Sequence, residues 1–145
     1  RGLVEASVSD ALSRCRSMLL KWGIHTSEAV ASDSFTGRLA TFRTQLQRDA
    51  GSKMELSFPM WRKRDGYTGT ALASANLHGS RFGEFFDIRR GDGSPAVSGC
   101  VGLGVERTVL ALLRSHGTDA TSWPAALLED FGLDRHSKDT VQADQ

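Results

Sequence analysis

The chain has 145 residues, a formal net charge of +1 and two cysteines. That length suits one domain with a real core, and the near-neutral balance gives no general attraction to nucleic acid. No apolar run is long enough to span a bilayer and no signal-peptide pattern is visible, while Cys15 and Cys100 have neither metal-type spacing nor the numbers for a disulfide framework; a reducing, cytoplasmic setting is expected.

In chain order, Val4, Val8, Leu12, Cys15, Leu19 and Trp22 fall on one helical face. This predicts an amphipathic helix over 4–22 that stops at Gly23, with Cys15 acting as a small buried hydrophobe. Residues 28–31 read as a short strand, and the Ser/Asp/Thr/Gly-rich run 32–38 breaks regular structure. The run 39–49 is polar and poorly periodic, so its state stays open. Over 53–59, Met54, Leu56 and Phe58 alternate with Lys53, Glu55 and Ser57, the pattern of a strand with one apolar and one polar face.

Residues 61–66 read as a charged hairpin tip carrying Arg62-Lys63-Arg64, either solvated or a dock for an acidic partner. A second strand is expected over 67–75, where small side chains leave room for a packed helix or a ligand. The polar stretch 76–84 is expected to leave that strand, 85–89 to resume extended structure, and 89–95 to turn. Ser98–Leu113 begins with small glycines alternating with Cys, Val and Leu and ends with Val105, Val109, Leu112 and Leu113 at helical spacing. Glu106 and Arg107 sit where this strand hands over to its helix. Thr121-Ser122-Trp123 is expected to cap a last helix over 124–131, and the polar residues 134–145 to form a frayed tail behind a single 1–133 domain. His25, His116 and His136 read as incidental. Several strands plus helices predict an α+β layout, an antiparallel sheet with helices packed on one face.

The Gly-rich strand running through Glu106-Arg107 into an apolar helix resembles the third signature motif of the class II aminoacyl-tRNA synthetases. Four blocks in order make the resemblance closer to the amino acid:carrier-protein ligases, relatives of the seryl-tRNA synthetase core. They are Ala31–Phe35 with Gly37-Arg38; Gln47-Arg48-Asp49 with Lys53–Leu56 and Pro59; Ser74–His78 with Phe82-Gly83; and Ser98–Arg107 with His116–Asp119 and Trp123-Pro124.

The resemblance implies ATP, a small amino acid and an acidic carrier protein as ligands, with tRNA unlikely to be one. It implies that Arg107, beside Glu106, lies against adenine, a task suited to a planar and permanently charged guanidinium. Glu55 would reach the amino acid; Asn76, His78 and Ser98 would lie near substrate; and Gly102 and Gly104 would form the floor. Cys100 matches a cysteine that binds catalytic zinc in that family, although taken as a lone residue it reads more readily as a small buried hydrophobe than as a ligand.

Nothing in the chain corresponds to the first two class motifs, which carry the α-phosphate Arg and two of the three zinc ligands, and Leu77 replaces an aromatic. The chain opens on Arg1 rather than Met and is expected to be a trimmed or partial sequence. The expected function is a subunit or fragment of an ATP-dependent, carrier-protein ligase-like enzyme, inactive alone and completed by a second chain. The alternative is a non-catalytic or repurposed subunit that binds a carrier-tethered amino acid and does a different tailoring reaction.

Overall fold

The computed structural model describes residues 2–61 and 69–133. The basic tip Arg62-Lys63-Arg64 and the tail from Asp134 lie outside the described residues.

The alternation in the 53–59 segment organises the molecule. Strand β2 (Lys53–Phe58) pairs antiparallel with β1 (Ser27–Val30) on one side and with β3 (Thr70–Gly79) on the other. β4 (Ser98–Leu103) pairs antiparallel with β3, giving a four-stranded meander in the order β1-β2-β3-β4. Register puts Met54 opposite Ala75 and Leu56 opposite Ala73, and these in turn oppose Val101 and Leu103. That face is apolar.

α1 (Gly2–Lys21) lies against β3 and β4, burying Leu12 and Leu19 as its period predicts. Cys15 packs half-buried against the core, as expected. A single apolar cluster joins Leu12, Leu19 and Trp22 to Leu56, Ala73 and Ala75 of the sheet. It also takes in Ala111 and Leu112 of α4 (Val105–His116) and Leu127 of α5 (Ala125–Asp130). The α+β layout with helices on one sheet face therefore holds. Among the described residues no helix is long and apolar enough to cross a membrane.

Several local expectations change. The open segment 39–49 forms α2 (Ala40–Asp49), which buries no residue of its own. β3 does not end near residue 75: pairing with β4 carries it through Asn76, Leu77 and His78 to Gly79. Phe85 ends the short helix α3 (Arg81–Phe85), and extended structure after it is limited to an isolated bridge between Arg89 and Pro95. Residues 120–122 form a 3₁₀ turn capped by the Asp119 side chain, and Pro124 rather than Thr121-Ser122-Trp123 precedes α5.

In α4 the buried face is Thr108, Ala111 and Leu112, while Val105, Val109 and Leu110 are 64%, 46% and 53% exposed. Val105 and Val109 keep helical spacing but sit beside the contact stripe. His116 is not incidental. Its Nε2 lies 2.8 Å from the Trp22 carbonyl and its ring fills the space over Gly23, whose φ of +76° lets the chain turn out of α1.

Candidate active site on the open face of the sheet

Because strand side chains alternate, the residues between the apolar ones share the opposite face. Register assembles them in two rungs. Lys53, Asn76 and Cys100 stand side by side across β2, β3 and β4, and Glu55, Ser74 and Gly102 form the next rung. Ser98 follows Cys100 out along β4. The sheet thus brings Glu55, Asn76, His78, Ser98, Cys100 and Gly102 to one surface.

The floor is open at Gly102, where an added Cβ would meet nothing within 4 Å. Gly104 differs: a Cβ there would contact Arg107 Cδ and the Leu72 carbonyl. Gly104 therefore underlies the arginine rather than open space. Arg107, in the first turn of α4, folds back and donates from Nη1 to the Ala71 carbonyl at 3.0 Å while its side chain stays exposed. Glu106 is exposed in the same turn, where the helix dipole favours a carboxylate.

At the far end the ladder shifts register between Leu77 and Gly79, so His78 occupies a bulge, with Gly79 at φ +59°. A bulge re-aims the side chain it carries. Here the imidazole turns along β4: His78 Nδ1 lies 3.2 Å from Ser98 Oγ, and Nε2 lies 3.6 Å from Cys100 Sγ. Phe82 supports the ring edge-on, with centroids 4.6 Å apart. Asn76 Nδ2 donates to Cys100 Sγ at 3.8 Å. Cys100 is exposed rather than buried, so the reading of it as a buried hydrophobe does not hold.

Lys53, on the polar side of its strand, links the rungs to the wall of the site. Its Nζ lies 3.1 Å from Glu55 Oε1 and 2.6 Å from Asp33 Oδ1. Gln47 of α2 completes the clasp, accepting from the Asp33 amide at 2.6 Å and donating to Asp33 Oδ2 at 2.9 Å. The Lys53 hydrogen bond, with help from Gln47, holds the Asp33 carboxyl below the usual carboxylate range. Partial burial pulls the Lys53 ammonium down, but the hydrogen bonds from Asp33 and Glu55 outweigh it and leave its pKa raised. This clasp seats α2 beside a cleft of about 740 Å³ whose walls include Phe35, Arg43, Asn76, His78, Arg81 and Phe82.

The zinc site expected at Cys100 is incomplete among the described residues. A catalytic zinc takes three protein ligands and leaves one position open. Cys100 finds His78, and among the described residues no group of three His, Cys, Asp or Glu converges.

No protein-family model matches the chain. It is 37% identical over 106 residues to amino acid–[acyl-carrier-protein] ligase 1 of Bradyrhizobium diazoefficiens, an overlap covering 73% of this chain and 32% of that protein. Ligase 2 of the same organism is 34% identical over 103 residues, covering 71% of this chain and 30% of that protein. The type-2 serine–tRNA ligase of Methanopyrus kandleri is 32% identical over 114 residues, covering 76% of this chain and 21% of that protein. Among solved structures, M. kandleri SerRS in complex with A. aeolicus tRNASec superposes with a TM-score of 0.70 at 22% identity, over 97% of this chain and 28% of that one. The chain thus shares the fold of part of a class II seryl-tRNA synthetase and spans about a third of the length of its carrier-protein-ligase relatives.

Proposed function

We propose that this chain, a class II synthetase-like domain related to the amino acid–carrier-protein ligases, supplies part of the substrate face of an ATP-dependent ligase-like enzyme that handles an aminoacyl group on a carrier protein. The observation that carries this reading is the open sheet face itself. It has vacant space over Gly102, a guanidinium from Arg107 at one end, and Asn76, His78 and Ser98 at the other.

In this reading the adenine lies under Arg107, whose hydrogen bond to Ala71 fixes the guanidinium near the strand ends. Glu55 takes the substrate amino group. Lys53 already neutralises that carboxylate, so an incoming ammonium would share it with, or displace, the lysine. The arm of an acidic carrier protein approaches along the cleft that carries Arg43 and Arg81. ATP, when bound, supplies the leaving group that activates a carboxylate. The chain's own residues orient the partners and hold charge, which is most of what such chemistry asks of a protein.

The remaining phosphate-binding residues would come from polypeptide beyond these 145 residues, in the same chain or a second one. Two features support this. Among the described residues β4 is an edge strand, and edges of this kind recruit further strands; and α4 exposes Val105, Val109 and Leu110. A single domain over 1–133 and a reducing cytoplasm belong to the same reading, the latter because both cysteines are free thiols.

The test is ATP–pyrophosphate exchange over a panel of amino acids, with the chain alone and with products co-expressed from neighbouring genes. Exchange in a reconstituted combination is expected; silence in all of them would remove adenylation. A second reading, in which the face does a different tailoring reaction on a carrier-tethered aminoacyl group, is favoured by the Cys100–His78 contact.

A further inference from the structure

Strand residues two apart share a face, so Lys53 and Glu55 stand one behind the other on the open side of β2. They are held with unequal firmness. The Lys53 side chain is only 12% exposed, and its ammonium lies between Asp33 Oδ1 at 2.6 Å and Glu55 Oε1 at 3.1 Å. Asp33 is fixed at every polar atom it turns inward. Its Oδ1 accepts from Lys53, its Oδ2 accepts from Gln47 Nε2, and its backbone N–H donates to Gln47 Oε1. Glu55 is the looser end. Among the described residues Lys53 alone holds its carboxylate, and it shares its rung with Gly102, over which space is open.

A lysine ammonium is a compact charge that two carboxylates can share. Two carboxylates and one ammonium leave this cluster with one net negative charge, which favours a single cationic or hydrogen-bond-donating group on a substrate. A donor that takes up part of the Glu55 charge leaves Lys53 freer to close on Asp33. That tightens the clasp to Gln47, and Gln47 seats α2, a helix that buries none of its own residues. Lys53 therefore stands between what occupies the open face and how firmly α2 is held.

We propose that Lys53 is the positioning residue of this face: anchored by Asp33 and Gln47, it sets the Glu55 carboxylate for the substrate and passes occupancy of Glu55 back to α2. This rests on the reading in which Glu55 faces the substrate, but not on which substrate group Glu55 meets, on ATP use or on a metal. Such coupling is reciprocal, so a well-seated α2 favours binding at Glu55 as much as binding at Glu55 seats α2. Presetting one rotamer-rich side chain is worth about two- to tenfold in affinity.

The experiment has two arms, both on the full chain. In the first, without ligand, ¹³C NMR follows the Glu55 side-chain carboxyl carbon and hydrogen exchange follows the amides of residues 40–49. Q47A alters no charge and removes a side chain with no contact to Glu55, yet it should move the Glu55 resonance, as K53M does more strongly. E55Q should slow exchange across 40–49 about threefold, and the slowing should vanish in the K53M background. A clasp that merely seats α2 would leave the Glu55 carbon unmoved in Q47A and the exchange unmoved in E55Q. Thermal unfolding of each variant confirms that the fold is kept.

In the second arm, sulfamoyl analogues of glycyl-, alanyl- and seryl-adenylate are titrated into the parent, Q47A and K53M chains. Affinity in Q47A should fall about two- to tenfold. At saturation, exchange across 40–49 should slow in the parent and stay unchanged in K53M. An unmoved Glu55 carbon in Q47A, exchange indifferent to E55Q, equal affinity in Q47A, or equal slowing in K53M would overturn the inference and leave the ligase reading standing. Expected behaviour in the first arm with no analogue bound in the second would remove the reading of this face as the substrate surface, and with it the role of Lys53 toward substrate.

Discussion

The Arg107 side chain is tied to the strand it crosses: its Nη1 donates to the Ala71 carbonyl at 3.0 Å, across the start of α4 to β3. The guanidinium is thereby held in one place while remaining exposed, with Gly104 beneath its aliphatic stem. R107K keeps the charge and loses the plane that stacks on an aromatic ring. Its nucleotide affinity should fall about five- to thirtyfold, the equivalent of roughly 1–2 kcal/mol of cation–π and stacking contact. Unfolding temperature should barely move. Isothermal titration with ATP beside thermal denaturation separates the two effects.

Two glycines on β4 should behave oppositely. G102V puts a side chain where nothing lies within 4 Å, so stability should change by less than about 0.5 kcal/mol while substrate binding is blocked. In G99A the new Cβ would sit 2.7 Å from Val8 Cγ2 and 2.9 Å from the Asn76 carbonyl, forcing α1 off the sheet. That variant should lose about 1–3 kcal/mol. Urea denaturation of both, compared with ligand titration, checks the contrast.

Stability should fall in acid through the clasps at Asp33 and Asp130. Lys53 and then Gln47 depress the Asp33 carboxyl, and Lys21 and then Trp22 depress Asp130. A group whose pKa is lower in the folded state stabilises above its unfolded value, about 3.9, and that stability disappears as pH drops through the folded value. The raised pKa values of Lys21 and Lys53 act in reverse. Their contribution is complete below about 10.4 and declines as pH rises through the folded values. D33N should flatten the acid limb of a denaturation-midpoint profile; an unchanged profile would show that the clasp contributes nothing.

The join between α1 and the second half of the chain should be sensitive at His116. H116A removes both the contact to the Trp22 carbonyl and the ring over Gly23, leaving a half-buried acceptor unpaired. A loss of about 1–3 kcal/mol is expected. L56A, at a fully buried position, should cost about 2–5 kcal/mol. Chemical denaturation of the two single variants and the double variant measures each.

Strong periodicity made much of this fold legible. The period-2 pattern around Met54, Leu56 and Phe58 and the helical stripe from Val4 to Trp22 each correspond to an observed element and its buried face. α2 was not legible, because a helix that buries none of its residues has no apolar stripe to read; it is seated by the polar clasp of Gln47 and Asp33. The run Asn76–His78 looked like a loop because it is polar, yet cross-strand pairing with β4 keeps it extended. Sequence signals named Asn76, His78, Ser98 and Cys100 separately. Only the bulge at His78 reveals that they touch, and register is not written in any one segment. Lys53 was missed as a hub because its partners lie twenty residues back and two residues ahead.

The central claim is that the face carrying Glu55, Asn76 and Gly102 is where substrate lies. It is tested most directly by titrating the ¹⁵N-labelled chain with sulfamoyl analogues of small aminoacyl-adenylates and following backbone amide shifts. Saturable shifts at Glu55, Asn76, Gly102, Gly104 and Arg107, abolished in G102V, are predicted. Shifts confined to α1 and the outer surface of α4, or shifts unaffected by G102V, would contradict it.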